Sequence, residues 1–321
     1  MVKKYINKKK SEGFSPAFYK FLMIAATLIW GLSYVMMKNA VDVLSPAYLI
    51  GIRFLATAVV LLIVLWKPVK NNHSKSDILV GSILGFELAA AFVVQTYGLA
   101  FTTPGKNAFL TGTYCILVPF VAWAILRHRP NIYHVIAAVL CFIGIGFVSL
   151  QESFVVETGD FLTIISAAIF ALQMVCVARF AVGKNILALT VYQFMSGGAC
   201  SLLLGFLVEP MPALASFSTS FWLDMAYLVL CASAMALLFQ NLALAHLPSV
   251  QVALLASLEA VFGVVFSIML YGESMTFKLL IGFVLIFASI LISETFPLKV
   301  SPLKMPAFLR SEKSFEEELD Y

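Results

Sequence analysis

The sequence predicts an all-α membrane protein with ten transmembrane helices arranged as two inverted five-helix repeats. Three observations carry this: more apolar residues than a water-soluble core can hide, ten apolar runs of helix length, and a fixed spacing that lays one half of the chain on the other. Of 321 residues, 61% are apolar and only 12% charged, with a mean hydropathy of +0.97. Soluble domains run nearer about 45–50% and about 25%. A spanning helix takes about 20 apolar residues, so this chain holds enough for roughly ten. Strands of a membrane barrel alternate apolar and polar residues, whereas here the runs are continuous.

Taken in order, the runs cover 18–37, 46–66, 78–98, 106–126, 131–150, 160–181, 187–208, 222–245, 248–271 and 277–296. The first exceeds a signal-peptide core and is followed by further spans, so it reads as a retained helix. Helix breakers mark the joints: Ser45-Pro46, Lys67-Pro68, Thr103-Pro104-Gly105, Arg129-Pro130, Glu209-Pro210, Leu247-Pro248 and Gly272. Around this frame lie a basic tail (1–17), a first repeat (18–150), a second (158–296) and a tail (297–321) in which prolines mix with Glu316-Glu317-Glu318, a composition that resists folding. The cysteines at 115, 141, 176, 200 and 231 fall one to a span without a C-x-x-C pair. They read as small core residues, not as disulfides or metal ligands.

Lys and Arg set the orientation. With the N-terminus inside, seventeen of them fall on the cytoplasmic side and three (Lys38, Lys106, Lys278) on the other, Arg53 alone lying within a span. Both termini are therefore expected in the cytoplasm of a multi-pass plasma-membrane protein. The net charge of +4 carries no sign of nucleic acid; the lysines at 3–10 suit contact with anionic lipid.

A constant offset of 145 residues carries spans three to five onto spans eight to ten. It places Gln95 on Gln240, Leu99-Ala100 on Leu244-Ala245, Ala108 on Ala253 and Val139-Leu140 on Val284-Leu285. Five spans per repeat, an odd number, turn the second repeat upside down in the membrane. Inverted repeats of this kind are the architecture of secondary transporters, with a substrate site near the midplane and access alternating as the halves rock.

Short motifs agree. Trp30-Gly31-Leu32-Ser33-Tyr34, Arg53-Phe54, Leu258-Glu259-Ala260-Val261-Phe262 and Tyr271-Gly272-Glu273-Ser274 stand in spans one, two and nine and just after span nine. Together they resemble the drug/metabolite transporter superfamily, in its ten-helix form built from two EamA repeats, over about 18–296. The resemblance implies export or exchange of small metabolites, amino acids, amines or amphipathic drugs. Ala260 departs from it, standing where the family has proline; a span nine with less kink is the expectation. Arg127-His128-Arg129-Pro130 stands in the first repeat where the second has Gly-Glu.

Ionisable groups at bilayer depth cost about 2.5–3.5 kcal/mol on insertion scales, so each needs a reason. Glu87 and Glu259 are mid-span, and Arg53 lies about 10 Å into span two. Glu259 shares a helix face with Ala256, Gly263 and Ser267; its counterpart Tyr114 shares one with Asn107 and Thr111. The candidate substrate cavity is thus Trp30, Ser33, Tyr34, Glu87, Asn107, Tyr114, Gln173 and Glu259. Glu259 and Glu87 are candidate coupling groups, and Arg53 is a charge expected to pair with a carboxylate or with helix carbonyls. Gly81, Gly85 and Ala89 form a small-residue ridge on the other side of the Glu87 helix.

No H-E-x-x-H, nucleophile–base pair or phosphate-binding loop is present. His128, His134 and His246 lie near helix ends and His73 in a loop, too scattered for a metal site. No catalytic residue, metal or cofactor is expected, and the partners are a small-molecule substrate and lipid. A polytopic receptor, a channel or an intramembrane enzyme is the rival reading. Proton coupling and simple exchange both remain open, as does the oligomeric state.

Overall fold

The computed structural model describes residues 15–72, 74–127, 130, 132–149, 157–212, 217–247 and 249–295. The lysines at 3–10, His73, His128, most of the 151–159 loop and the tail from 296 lie outside them. Among the described residues every regular element is helical. In chain order the long ones are α1 (Pro16–Val41), α2 (Pro46–Val64), α3 (Lys75–Ala100), α4 (Pro104–Leu126), α5 (Ile132–Ser149), α6 (Thr158–Phe180), α7 (Ile186–Val208), α8 (Thr219–His246), α9 (Ser249–Tyr271) and α10 (Phe277–Thr295). Eight are long and apolar enough to cross a membrane; α5 and α10 contribute shorter apolar stretches, Ile132–Gly144 and Phe277–Ser289. The second run stops at Val64, and Trp66–Asn72 forms a separate short helix rather than a loop.

Polar residues start the helices where the sequence places breakers. Ser15 accepts from the Phe18 N–H with Pro16 in the first turn. Ser74 and Asp77 form a reciprocal capping box. Thr103 accepts from the Lys106 N–H, and Asn185 from those of Leu187 and Ala188. Each cap satisfies a donor that the helix itself leaves open.

The repeat extends to the helix boundaries. The offset of 145 lays the start of α4, Pro104, on the start of α9, Ser249, and the start of α5, Ile132, on that of α10, Phe277. Both middle helices are interrupted, at Gly112-Thr113 in α4 and at Ser257 in α9, again 145 residues apart. Both close on a left-handed residue, Arg127 (φ 60°) and Gly272 (φ 73°), likewise 145 apart. At Gly272 the glycine relieves the strain that Arg127 accepts.

These interruptions correct the expectation of two continuous helices. Ala256 and Glu259 lie on opposite sides of a one-residue interruption at Ser257, whose own dihedrals stay right-handed. Despite the interruption in α4, Asn107, Thr111 and Tyr114 all line one cavity. At Ala260, which stands where the family has proline, the N–H is bonded to the Ser257 carbonyl, and the interruption of α9 lies three residues earlier. A second correction falls on α8, where Leu228–Met235 is π-helical. Small residues fill that stretch (Cys231-Ala232-Ser233-Ala234).

Packing follows the pseudo-symmetry. α5 lies on α10, α2 on α7 and the second part of α9 on the first part of α4, each helix meeting its own repeat counterpart. The small-residue ridge of α3 does pack closely: Gly81 faces Leu189 and Gly85 faces Gln193, both on α7. Phe142 and Phe277, 78% and 77% exposed, point away from the bundle, the side a bilayer would cover.

Candidate functional site

The interruptions in α4 and α9 face each other: a Cβ on Gly112 would lie 3.1 Å from that of Ala260. Beside them, α1 approaches α9 so closely that a side chain at Gly31 would strike Phe262, and α9 approaches α4 so closely that one at Gly263 would strike Ala108. Close approach here requires glycine. Between these helices and α2, α3, α6 and α8 opens a cavity.

Seven of the eight candidate cavity residues line it: Trp30, Ser33, Tyr34, Asn107, Tyr114, Gln173 and Glu259, together with Arg53. Glu87 does not. It sits half-buried on α3, its carboxyl hydrogen-bonded to Cys176 on α6 and its Oε2 without a partner. The equation of mid-span depth with the cavity fails for this residue, because depth says nothing about which side of a helix a residue occupies.

Glu259 is buried and meets two phenols. Tyr34 Oη donates to Glu259 Oε1 at 3.4 Å, and Tyr114 also hydrogen-bonds the carboxyl. Tyr114 and Glu259 are repeat counterparts, so the pseudo-twofold brings equivalent positions into contact. The network extends outward through Gln95, whose Nε2 donates to Tyr34 Oη (3.2 Å) and to Thr111 Oγ1 (3.0 Å). Asn107 donates to Thr163 Oγ1 (2.7 Å) and to the Gln95 carbonyl.

Arg53 departs from its expectation. Its guanidinium is 1% exposed, and the described residues put no carboxylate within ion-pair range of it. Nε donates to Ser233 Oγ at 2.7 Å, Nη1 reaches the Met37 sulfur at 3.3 Å, and the group lies 5.2 Å over the Phe92 ring. Trp30 donates its indole N–H to the Ala232 carbonyl at 2.8 Å. Thus the first repeat's aromatic and arginine motifs both grip the π-helical part of α8, in the second repeat. Ser33 turns its hydroxyl back to the Trp30 carbonyl. Gln173, 1% exposed, has neither amide atom partnered, and Asn107 Oδ1 is unpartnered too.

Several lining residues were visible in sequence only as repeat matches or apolar positions. Gln95 and Gln240, superimposed by the 145-residue offset, both line the cavity, and Phe92, Phe170 and Met174 complete its wall. A glutamine recurring at one repeat position was the available signal.

At one end of the bundle a second set of polar groups joins the repeats. Glu273 takes hydrogen bonds from the Thr103 hydroxyl, the Gly105 N–H and the Ser267 hydroxyl. Nearby, Lys106 pairs with Glu157 at 2.8 Å and Asp160 at 2.9 Å.

Comparison with known proteins agrees with this geometry. The EamA-like transporter family matches residues 17–150 and again 157–295. An uncharacterized transporter of Archaeoglobus fulgidus is 25% identical over 289 residues, covering 88% of this chain and 87% of its own. The uncharacterized transporter YoaV of Bacillus subtilis is 24% identical over 200 residues, 60% of this chain and 68% of its own. One solved crystal structure superimposes with a TM-score of 0.66 over 88% of this chain and 98% of that one; at 15% identity the likeness is of fold.

Proposed function

Because the chain belongs to the EamA-like transporter family in both its halves, and is on that ground a membrane transporter, we propose that it moves small metabolites across the plasma membrane as an exporter or exchanger. Amino acids, amines and amphipathic drugs are the classes considered. The observation that carries this reading is the cavity at the level of the two helix interruptions, where Glu259 meets its own repeat counterpart Tyr114. Interrupted helices at a repeat interface are where transporters of inverted design hold substrate.

In this reading, all ten helices span the bilayer and both termini are cytoplasmic, as the charge asymmetry implies. The end joined by Glu273 and Lys106 is then external, and its bonds must release for the cavity to open there. α4 and α9 pivot at Gly112-Thr113 and Ser257, where the ladder of backbone bonds is already discontinuous. Glu259 has two phenols but no resident cation, and moving a bare carboxylate through the membrane interior is costly. A proton or a cationic substrate group relieves that cost, which couples substrate movement to protons or to exchange.

The test is uptake and efflux of a labelled metabolite panel in proteoliposomes, with and without a pH gradient. Saturable movement of at least one compound, altered by the gradient, supports the reading. Failure of every compound to move, in protein that is folded and correctly inserted, removes it.

A further inference from the structure

Arg53 is a cation in the cavity wall with no carboxylate of the described residues within ion-pair range. A buried cation left unpaired is expensive, and none of the described residues provides its counter-ion. Glu259 lines the same cavity but is engaged by Tyr34 and Tyr114, and the two charges form no ion pair. A guanidinium has five N–H donors in one plane. Here Nε is satisfied by Ser233 and Nη1 touches only a thioether, a weak acceptor, while Phe92 covers a face of the group. Stacking on a ring occupies the face and leaves the edge, the geometry that takes up a carboxylate through two parallel hydrogen bonds. The same cavity holds the Gln173 amide, fully buried with both its polar atoms unpartnered. Orphaned amide atoms in a cavity wall are groups that a polar ligand satisfies.

We propose that Arg53 is the anion-recognising residue of this transporter and that its substrates carry a carboxylate, which docks on the guanidinium edge while Gln173 supplies further hydrogen bonds. The inference rests on the cavity being the substrate site and narrows the substrate class: simple amines lacking an acid group are excluded. Ser233 and Phe92 act as positioning residues, holding the guanidinium by one nitrogen and one face.

Equilibrium binding to the purified full-length protein tests it with matched pairs that differ only in the acid: propionate against propionamide, phenylpropionate against phenylpropionamide, phenylalanine against phenethylamine. The acids should bind at least about tenfold more tightly than their partners, the scale of a charge-assisted hydrogen bond. Arg53→Gln should abolish that ratio, and Arg53→Lys should keep part of it. The wild-type ratio needs no variant, so a misfolded Arg53→Gln protein leaves the test intact. Equal or tighter binding of the amides and amine, a preference that survives Arg53→Gln, or no acid bound at millimolar concentration would each overturn the proposal. Counterflow in proteoliposomes separates the two readings. Acids that bind through Arg53 but never cross leave the subsite and sink transport. Amides that cross independently of Arg53 do the reverse.

Discussion

Trp30 commits its only polar atom, the indole N–H, to the Ala232 carbonyl, and Tyr34 places its hydroxyl between Glu259 and Gln95. Neither ring is a lipid-facing belt residue: they are 7% and 6% exposed within the bundle. Trp30→Phe removes one hydrogen bond, leaves the Ala232 carbonyl without its donor and opens a small void, so a stability loss of about 1–3 kcal/mol is expected. Thermal unfolding in detergent reads it; an unchanged Tm would mean the bond contributes nothing. Tyr34→Phe should leave expression normal but impair transport, because it unlinks Glu259 from the Gln95–Thr111 chain. Glu259→Gln preserves size while removing titration. It should still exchange substrate but lose accumulation driven by a pH gradient, whereas Glu87→Gln, outside the cavity, should accumulate normally. Full gradient-driven accumulation by Glu259→Gln assigns that carboxyl a structural role.

At the scale of elements, the decisive features are the two interruptions and the longer of two π-helical stretches, Leu228–Met235, the other being Ser267–Tyr271. α4 and α9 break at equivalent residues, and the π segment of α8 is held by Trp30, Arg53 and Thr57 from the opposite repeat. π-Bulges cluster at functional sites, and this one carries the anchor of the proposed anion-binding arginine. Gly31 fixes how closely α1 approaches α9. Gly31→Val drives methyl groups into Phe262 and should cost about 1–3 kcal/mol as overpacking, with Gly31→Ala intermediate. Equal thermal stability of wild type and both variants would show that this contact yields readily.

Over the whole molecule, the twofold relation pairs α5 with α10, α2 with α7 and α4 with α9. The orientation set by lysine and arginine predicts which loops face outward. Single cysteines near 209–212 should react with an impermeant maleimide in intact cells, and those at 67–72 should not, on a background lacking the five native cysteines, all free thiols. The opposite labelling pattern would reverse the orientation drawn from lysine and arginine.

The sequence alone determined the class and the plan of this protein. Helix-length apolar runs admit only spanning helices, since backbone groups in lipid must bond within their own segment. Breakers located the joints, and the 145-residue offset located the repeat. Even the mid-span polar residues were legible, since Trp30, Tyr34, Asn107, Tyr114, Gln173 and Glu259 all reach one cavity. Only the tertiary structure decided which way each side chain faces. Glu87 and Glu259 are equally deep and equally charged in sequence, yet one lies between α3 and α6 and the other in the cavity wall. Likewise, no local pattern announces a helix break at Ser257 or a π turn at Leu228. Only the folded bundle shows what meets them: Gly112 lies against Ala260 just after the break, and Trp30 and Arg53 from the opposite repeat donate to Ala232 and Ser233 within the π turn.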